Sequence, residues 1–330
     1  VAHLVAAFDK FKGTASARSL THAAVRAAES CGWTALGVPL ADGGEGSLDC
    51  VGGANRWVDT TDALGGPVRA GWRLDGSDAF IEMAEAAGLA RIGGADANDP
   101  IAASTRGVGE LIRSALDEDA STVVVFLGGS ATVDGGIGAV EVIASHPRIS
   151  DVDLIAATDV TERFLEAPSV FGPQKGADET QVAHLTDRLE ATAAFYADRF
   201  GVDVRDVAGG GAAGGLGGGL VALGGRVVPG FDVVAAAVGL DPALVDADLV
   251  VTGEGRLDAA SFHGKVVGSV WARARDHGTP VVAIVGSCER DFEPPAGLSI
   301  ACLSERFGSA ASLADAPRLV ARVTRDLLER

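Results

Sequence analysis

Most of the acids, hydroxyls and cations in this chain that have the types and spacing for chemistry lie beside glycine. Seven motifs carry them: DKFKG (9–13), ADGGEG (41–46), LGGSATVDGG (127–136), FGPQKGA (171–177), AGGGAAGGLGGGL (208–220), VTGEGRLD (251–258) and FHGK (262–265). Glycine lets backbone N–H groups come close to an anion. Lys, Arg, Asp and Glu beside it supply the charge neutralisation, metal binding and proton removal that phosphoryl transfer requires. The motifs point to an enzyme that handles phosphate.

LGGSATVDGG follows the apolar run TVVVF and precedes the helical pattern GIGAVEVIAS, so Gly128 and Gly129 sit where a strand turns into a helix N-terminus. Such a turn binds anions, with Ser130 and Thr132 as added hydroxyl donors; Asp134 either ligates magnesium or caps the helix. In ADGGEG the three-residue spacing of Asp42 and Glu45 fits a capping box, and it fits equally a pair of catalytic acids at a strand end. Extended, VTGEGRLD puts Glu254, Arg256 and Asp258 on one face, a row that binds metal and anion together or neutralises itself at the surface.

Lys10, Lys12, Lys175 and Lys265 each lie in or beside a glycine motif and are candidate phosphate clamps, although lysines are most often solvated. The tract 208–220 contains GxGxxG at Gly209, Gly211 and Gly214, but the preceding VDVRDV is polar for a buried strand. Phosphate contact at Gly211 and Gly214 therefore competes with close packing, and an NAD-linked dehydrogenase stays an alternative. Gly264-Lys265 is followed by Val266, so no Walker A motif is present. His263 has no partner in recognisable spacing.

The elements that must position these residues are legible from apolar runs bounded by turn residues: 3–8, 36–40, 122–129, 153–159, 248–255, 280–287 and 298–304. Runs of this kind suit strands buried on both faces of a parallel sheet, with helices over 16–30, 178–200, 265–277 and 315–329. Residues 56–84 alternate and contain GlyGlyPro and AspGlySer turns, which predicts antiparallel strands outside the parallel pattern. The fold class is α/β.

With acids outnumbering bases 45 to 27 and a net charge of −18, nucleic acid and anionic membranes are excluded as partners. Cys31, Cys50, Cys288 and Cys302 form no metal or redox spacing and read as buried thiols. The N-terminus has no basic leader, and no stretch stays apolar long enough to span a bilayer, so a cytoplasmic compartment is expected.

In order along the chain, DKFKGTASA, PLADGGEGSLD, FIEMAEAAGL, STRGVGEL, LGGSATVDGG, FGPQKGA, GAAGGLGGGL and TGEGRLDAASFHGK resemble the class I glycerate kinases over about residues 4–287. The resemblance implies ATP-dependent, magnesium-requiring phosphorylation of D-glycerate. It also implies two α/β domains: a discontinuous flavodoxin-like one over 1–55 and 245–330, and an inserted one with some antiparallel strands over 56–244. The chain departs from that family after Asp159, where Val160–Leu165 replace an Asn-Pro-Leu sequence, and between Gly138 and Asp151, which is short.

Under this resemblance Asp42 and Asp159 are candidate bases for the glycerate hydroxyl, and Asp134 and Glu254 are candidate magnesium ligands. Arg256, whose planar fork matches two oxygens, is the candidate partner of the glycerate carboxylate. A metabolite-binding regulator that kept the fold and lost turnover is the non-enzymatic alternative. Oligomeric state and the choice between the 2- and 3-hydroxyl are open at this stage.

Overall fold

The computed structural model describes residues 1–289 and 292–329. Among them, thirteen strands follow in chain order: β1 (His3–Phe8), β2 (Thr34–Gly37), β3 (Arg56–Thr61), β4 (Pro67–Asp75), β5 (Asp78–Glu82), β6 (Thr122–Phe126), β7 (Asp153–Ala157), β8 (Arg226–Val228), β9 (Leu249–Gly253), β10 (Arg256–Leu257), β11 (Val281–Val285), β12 (Ser287–Cys288) and β13 (Leu298–Cys302). The chain forms two compact units. The first is Val1–Asp42, Asp49–Val51 and Phe231–Arg330; the second is Gly43–Leu48 and Gly52–Gly230. The sequence places the divisions at 55/56 and 244/245, whereas the crossings in the structure fall within 42–52 and at 230/231.

In the first unit five parallel strands lie in the order β13-β11-β9-β1-β2. The third of these along the chain sits beside the first, which is the flavodoxin-like order. Continuous apolar runs explain the strands: β11 is buried along its whole length, as is β1 from Leu4 onward. The run expected over 36–40 is assigned as Thr34–Gly37, yet Val38 and Leu40 still donate N–H groups to Ala6 O and Phe8 O at 2.8 and 2.9 Å. Pro39 falls between them, facing away from β1, where a missing N–H costs no ladder bond.

Helix Ala17–Ser30 starts at Ser16, whose Oγ accepts the Ser19 N–H, and buries Leu20, Ala24, Ala27 and Ala28. Together with the amphipathic helix Ala316–Leu328 it covers the core built on Leu4, Ala6 and Phe8.

The second unit holds one six-stranded sheet, β3-β4-β5-β6-β7-β8. The pairs β3/β4 and β4/β5 are antiparallel, as the alternation predicts, but β5 pairs in parallel with β6. The antiparallel strands therefore extend the parallel sheet instead of forming their own. One face carries Trp72, Met83, Leu111 and Ile112; a second cluster gathers Phe164, Leu185, Leu189 and Tyr196. Helix Glu179–Phe200 has the Asp178/Gln181 capping box and ends at Gly201 with φ 73°.

The glycine tract becomes helix Ala212–Ala222, and it follows a turn, not a strand. The dinucleotide fingerprint requires a strand there, so the dehydrogenase alternative falls. A Cβ at Gly214 would overlap the Thr132 carbonyl, and one at Gly211 would overlap the Arg163 carbonyl. These glycines serve close packing: the groups they admit are carbonyl oxygens, which would repel phosphate. That replaces the phosphate-binding expectation at Gly211 and Gly214. Phe164, in the stretch that departs from the family pattern, is fully buried against Gly215 and Gly218.

Candidate functional site

In the first unit, β1 and β9 are neighbouring parallel strands and end side by side. The Asp9 N–H donates to Gly253 O at 2.9 Å, so the next residues on the two strands, Asp9 and Glu254, emerge together at the carboxyl edge of the sheet. This is where open α/β sheets hold ligands. Asp9 is half-buried, and its Oδ1 accepts the Lys10 N–H at 2.7 Å. Burial, then the Asp42 charge, then Glu254 push its carboxyl up to about 7, against the pull of Lys10.

Glu254 is 7% exposed, and its Oε1 has no hydrogen-bond partner among the described residues. Burial raises it also to about 7; Asp258 and Asp42 add to the rise, while the Ser261 hydroxyl and Lys265 oppose it. Three acids, Asp9, Asp42 and Glu254, thus lie within electrostatic reach of one another.

The expected row of Glu254, Arg256 and Asp258 divides. Glu254 is buried, and Asp258 caps the turn Ala259–Phe262 through Ser261, with its N–H donating to Ser261 Oγ at 3.0 Å. Arg256 is exposed on β10 and forms no ion pair among the described residues, which leaves its fork for an anion. Lys10 and Lys265 are half-buried and Lys12 is exposed. His263 is exposed, with Nδ1 beside Ala259 O at 3.0 Å.

The second unit draws LGGSATVDGG and the glycines of ADGGEG together. Gly128 N–H donates to Gly43 O at 3.3 Å, and a Cβ at Gly128 would overlap Gly44. The Ala131 N–H is committed to Ala87 O at 2.9 Å, and Gly129 O accepts the Leu89 N–H at 2.8 Å. The helix that a capping box at Asp42 and Glu45 would open right after Asp42 begins only at Ser47. Its first turn is held by Glu82 of β5, which accepts the N–H groups of Gly46 and Leu48 at 3.0 and 3.1 Å. Asp159, just beyond β7, accepts the Gly230 N–H through Oδ1 at 2.9 Å.

Asp134 is 1% exposed and fully engaged. Its Oδ2 accepts from Thr105 N and Oγ1, both at 2.8 Å, and from Gly138 N at 3.3 Å; its Oδ1 accepts from Gly136 N at 3.1 Å. The helix-capping alternative accounts for both oxygens. More widely, no group of three or more His, Cys, Asp or Glu among the described residues is placed to hold a metal ion.

Lys175 is likewise turned inward, at 3% exposure, with Nζ donating to Ser130 Oγ and Thr132 O. It fastens the loop from behind and is not open to a phosphate. Thr132 Oγ1 reaches only Ala213 O, at 3.4 Å. Tyr196 Oη donates to Gly135 O at 3.0 Å, and burial raises its phenol.

Sequence reasoning missed Asp9, Glu82, Thr105 and Tyr196. Asp9 carried a signal, an acid ending the first buried run; the other three sit in ordinary strand and helix patterns.

The model of the glycerate kinase family matches residues 4–145 and 140–329. Glycerate 2-kinase of Escherichia coli K12 is 38% identical over 294 residues, covering 78% of this chain and 77% of that protein. Glycerate kinase of Bacillus subtilis 168 is 36% identical over 332 residues, covering 87% and 86%. Among solved structures, a protein described as a candidate glycerate kinase 2 from Salmonella typhimurium LT2 superposes with a TM-score of 0.85 at 33% identity, covering 100% of this chain and 98% of that one. No helix among the described residues is long and apolar enough to cross a membrane.

Proposed function

From the premise that the chain belongs to the glycerate kinase family, we propose that it transfers the γ-phosphoryl group of ATP to a hydroxyl of D-glycerate, giving phosphoglycerate and ADP. The observation that carries this reading is the carboxyl edge of the first unit, where the buried Glu254 and the half-buried Asp9 feel the charges of Lys265 and Lys10, with the exposed Arg256 nearby in sequence. Phosphoryl transfer needs little covalent help from a protein. It needs a positioned hydroxyl, a base for its proton and charge around the phosphate.

Arg256 takes the glycerate carboxylate through its planar fork, and Lys10, Lys12 and Lys265 offset phosphate charge. The base lies in the acid cluster at this edge, formed by Asp9, Asp42 and Glu254. Among the described residues no cage for a resident cation is built. Magnesium accordingly enters as part of the substrate, MgATP, neutralising its phosphates. The reaction is cytoplasmic, where ATP is supplied.

Phosphorus NMR of the protein with ATP, magnesium and D-glycerate tests the proposal. A phosphomonoester signal that requires both substrates supports it and distinguishes 2- from 3-phosphoglycerate. ADP formation that is indifferent to glycerate sinks it.

A further inference from the structure

The sequence motifs single out Asp42 and Glu254 in the acid cluster, but Asp9 is the member on which both others act. Asp9 emerges beside Glu254 because Gly253 O holds its N–H. Its Oδ1 is occupied by the Lys10 N–H. An independent sign that something binds here is Glu254 Oε1, withdrawn from water at the same edge without a donor, a state that buried polar atoms rarely keep unless a ligand completes them. The acids are not placed to close on one metal ion. A hydroxyl that donates to these carboxylate oxygens complements such a cluster.

Resting on the glycerate kinase reading above, we propose that Asp9 is a catalytic residue whose carboxylate takes the proton of the attacking glycerate hydroxyl, with Asp42 and Glu254 flanking it. The substrate O–H bond breaks and its proton moves to Oδ2 of Asp9. The freed oxygen forms a bond to the γ-phosphorus, the bond from that phosphorus to the bridging oxygen breaks, and its electron pair leaves with ADP. The proton then passes to solvent.

Burial and the facing charges hold Asp9 near neutrality, at about 7, where a carboxylate is basic enough to help and still substantially ionised. The groups that face it are Asp42, Glu254 and Lys10; those that face Glu254 are Ser261, Lys265, Asp258 and Asp42. The ionised form is the active one, so kcat/KM rises with pH through this range, and the apparent midpoint belongs to the coupled acids together.

The test is Asp9→Asn and Asp9→Glu against the wild type, each with steady-state kinetics from pH 5.5 to 9, thermal melting and calorimetric binding of MgATP. We expect Asp9→Asn to lower kcat by roughly 10²-fold or more, with both KM values within about threefold, and to lose the acidic limb of the profile. Asp9→Glu should restore part of kcat and the limb. Folding is not at risk: at pH 8 the wild-type carboxylate is ionised against its burial, so the Asn variant should melt no lower. A wild type that does not phosphorylate glycerate overturns the functional reading, and the Asp9 assignment falls with it. An active wild type whose Asp9→Asn variant keeps kcat, or changes only its magnesium requirement, overturns the Asp9 assignment alone.

Discussion

The Lys175 ammonium lies 2.7 Å from Ser130 Oγ and 2.8 Å from Thr132 O, so a buried cation in the second unit holds the loop that follows β6. The side chain is buried, and burial lowers it to about 7 in spite of the nearby Asp134 charge. The loop's shape and this lysine's protonation are therefore coupled.

That coupling has a definite sign. The folded-state value lies below the ordinary 10.5, so between pH 7 and 10.5 the unfolded chain binds more protons. Stability from this group is then gained as pH rises through that window, by at most about 1.4 kcal/mol per pH unit. Urea unfolding of wild type and Lys175→Met across pH 6.5–10 checks it: the difference between them should grow with pH. Parallel curves would mean that Lys175 is not held in a depressed state.

Glu254 carries the opposite slope. Its folded-state value is raised from 4.5 to about 7, so the folded chain holds the extra proton between those values and stability is lost as pH rises through them. Glu254→Gln should flatten this fall and, at pH 8, exceed the wild type in stability by about 1–3 kcal/mol. A variant less stable than wild type at pH 8 would show that the ionised carboxylate is well satisfied.

Asp134→Asn separates a cap from a metal ligand. An amide can accept through only one atom where Asp134 uses both oxygens for four donors, so the variant should lose about 2–4 kcal/mol in denaturant unfolding. The magnesium concentration for half-maximal activity should not move. A shifted magnesium response with unchanged stability would restore the ligand role.

Arg256→Lys should raise the glycerate KM by about tenfold or more and leave the ATP KM nearly unchanged, because a planar fork pairs two carboxylate oxygens and an ammonium does not. Varying each substrate in turn reads this out. An ATP-selective defect would move Arg256 to the nucleotide.

Glycine packing gives a structural comparison. Gly214→Ala places a Cβ against the Thr132 carbonyl, whereas Gly224, at a similar positive φ of 90°, has nothing within 4 Å of such an atom. Gly224→Ala should cost about 1–2 kcal/mol of backbone strain; Gly214→Ala should add at least as much again from overlap. Equal losses in melting experiments would dissolve the packing account of the tract.

The sequence by itself determined the α/β class, the strands β1, β6, β7, β9, β11 and β13, and the bounding helices, because buried runs, caps and left-handed glycines are local signals. It also carried the family, since the order of eight short motifs survives without any contact being known. Which acids meet was decided only by tertiary structure. Asp9 and Glu254 are far apart in the chain and become neighbours through the parallel pairing of β1 with β9, and desolvation then sets their basicity. The same holds for Asp134 and Lys175, whose residue types suggested a ligand and a phosphate clamp. Folding buried both and spent their hydrogen bonds on Thr105, Gly136, Gly138, Ser130 and Thr132, and local sequence contains no term for burial of that kind.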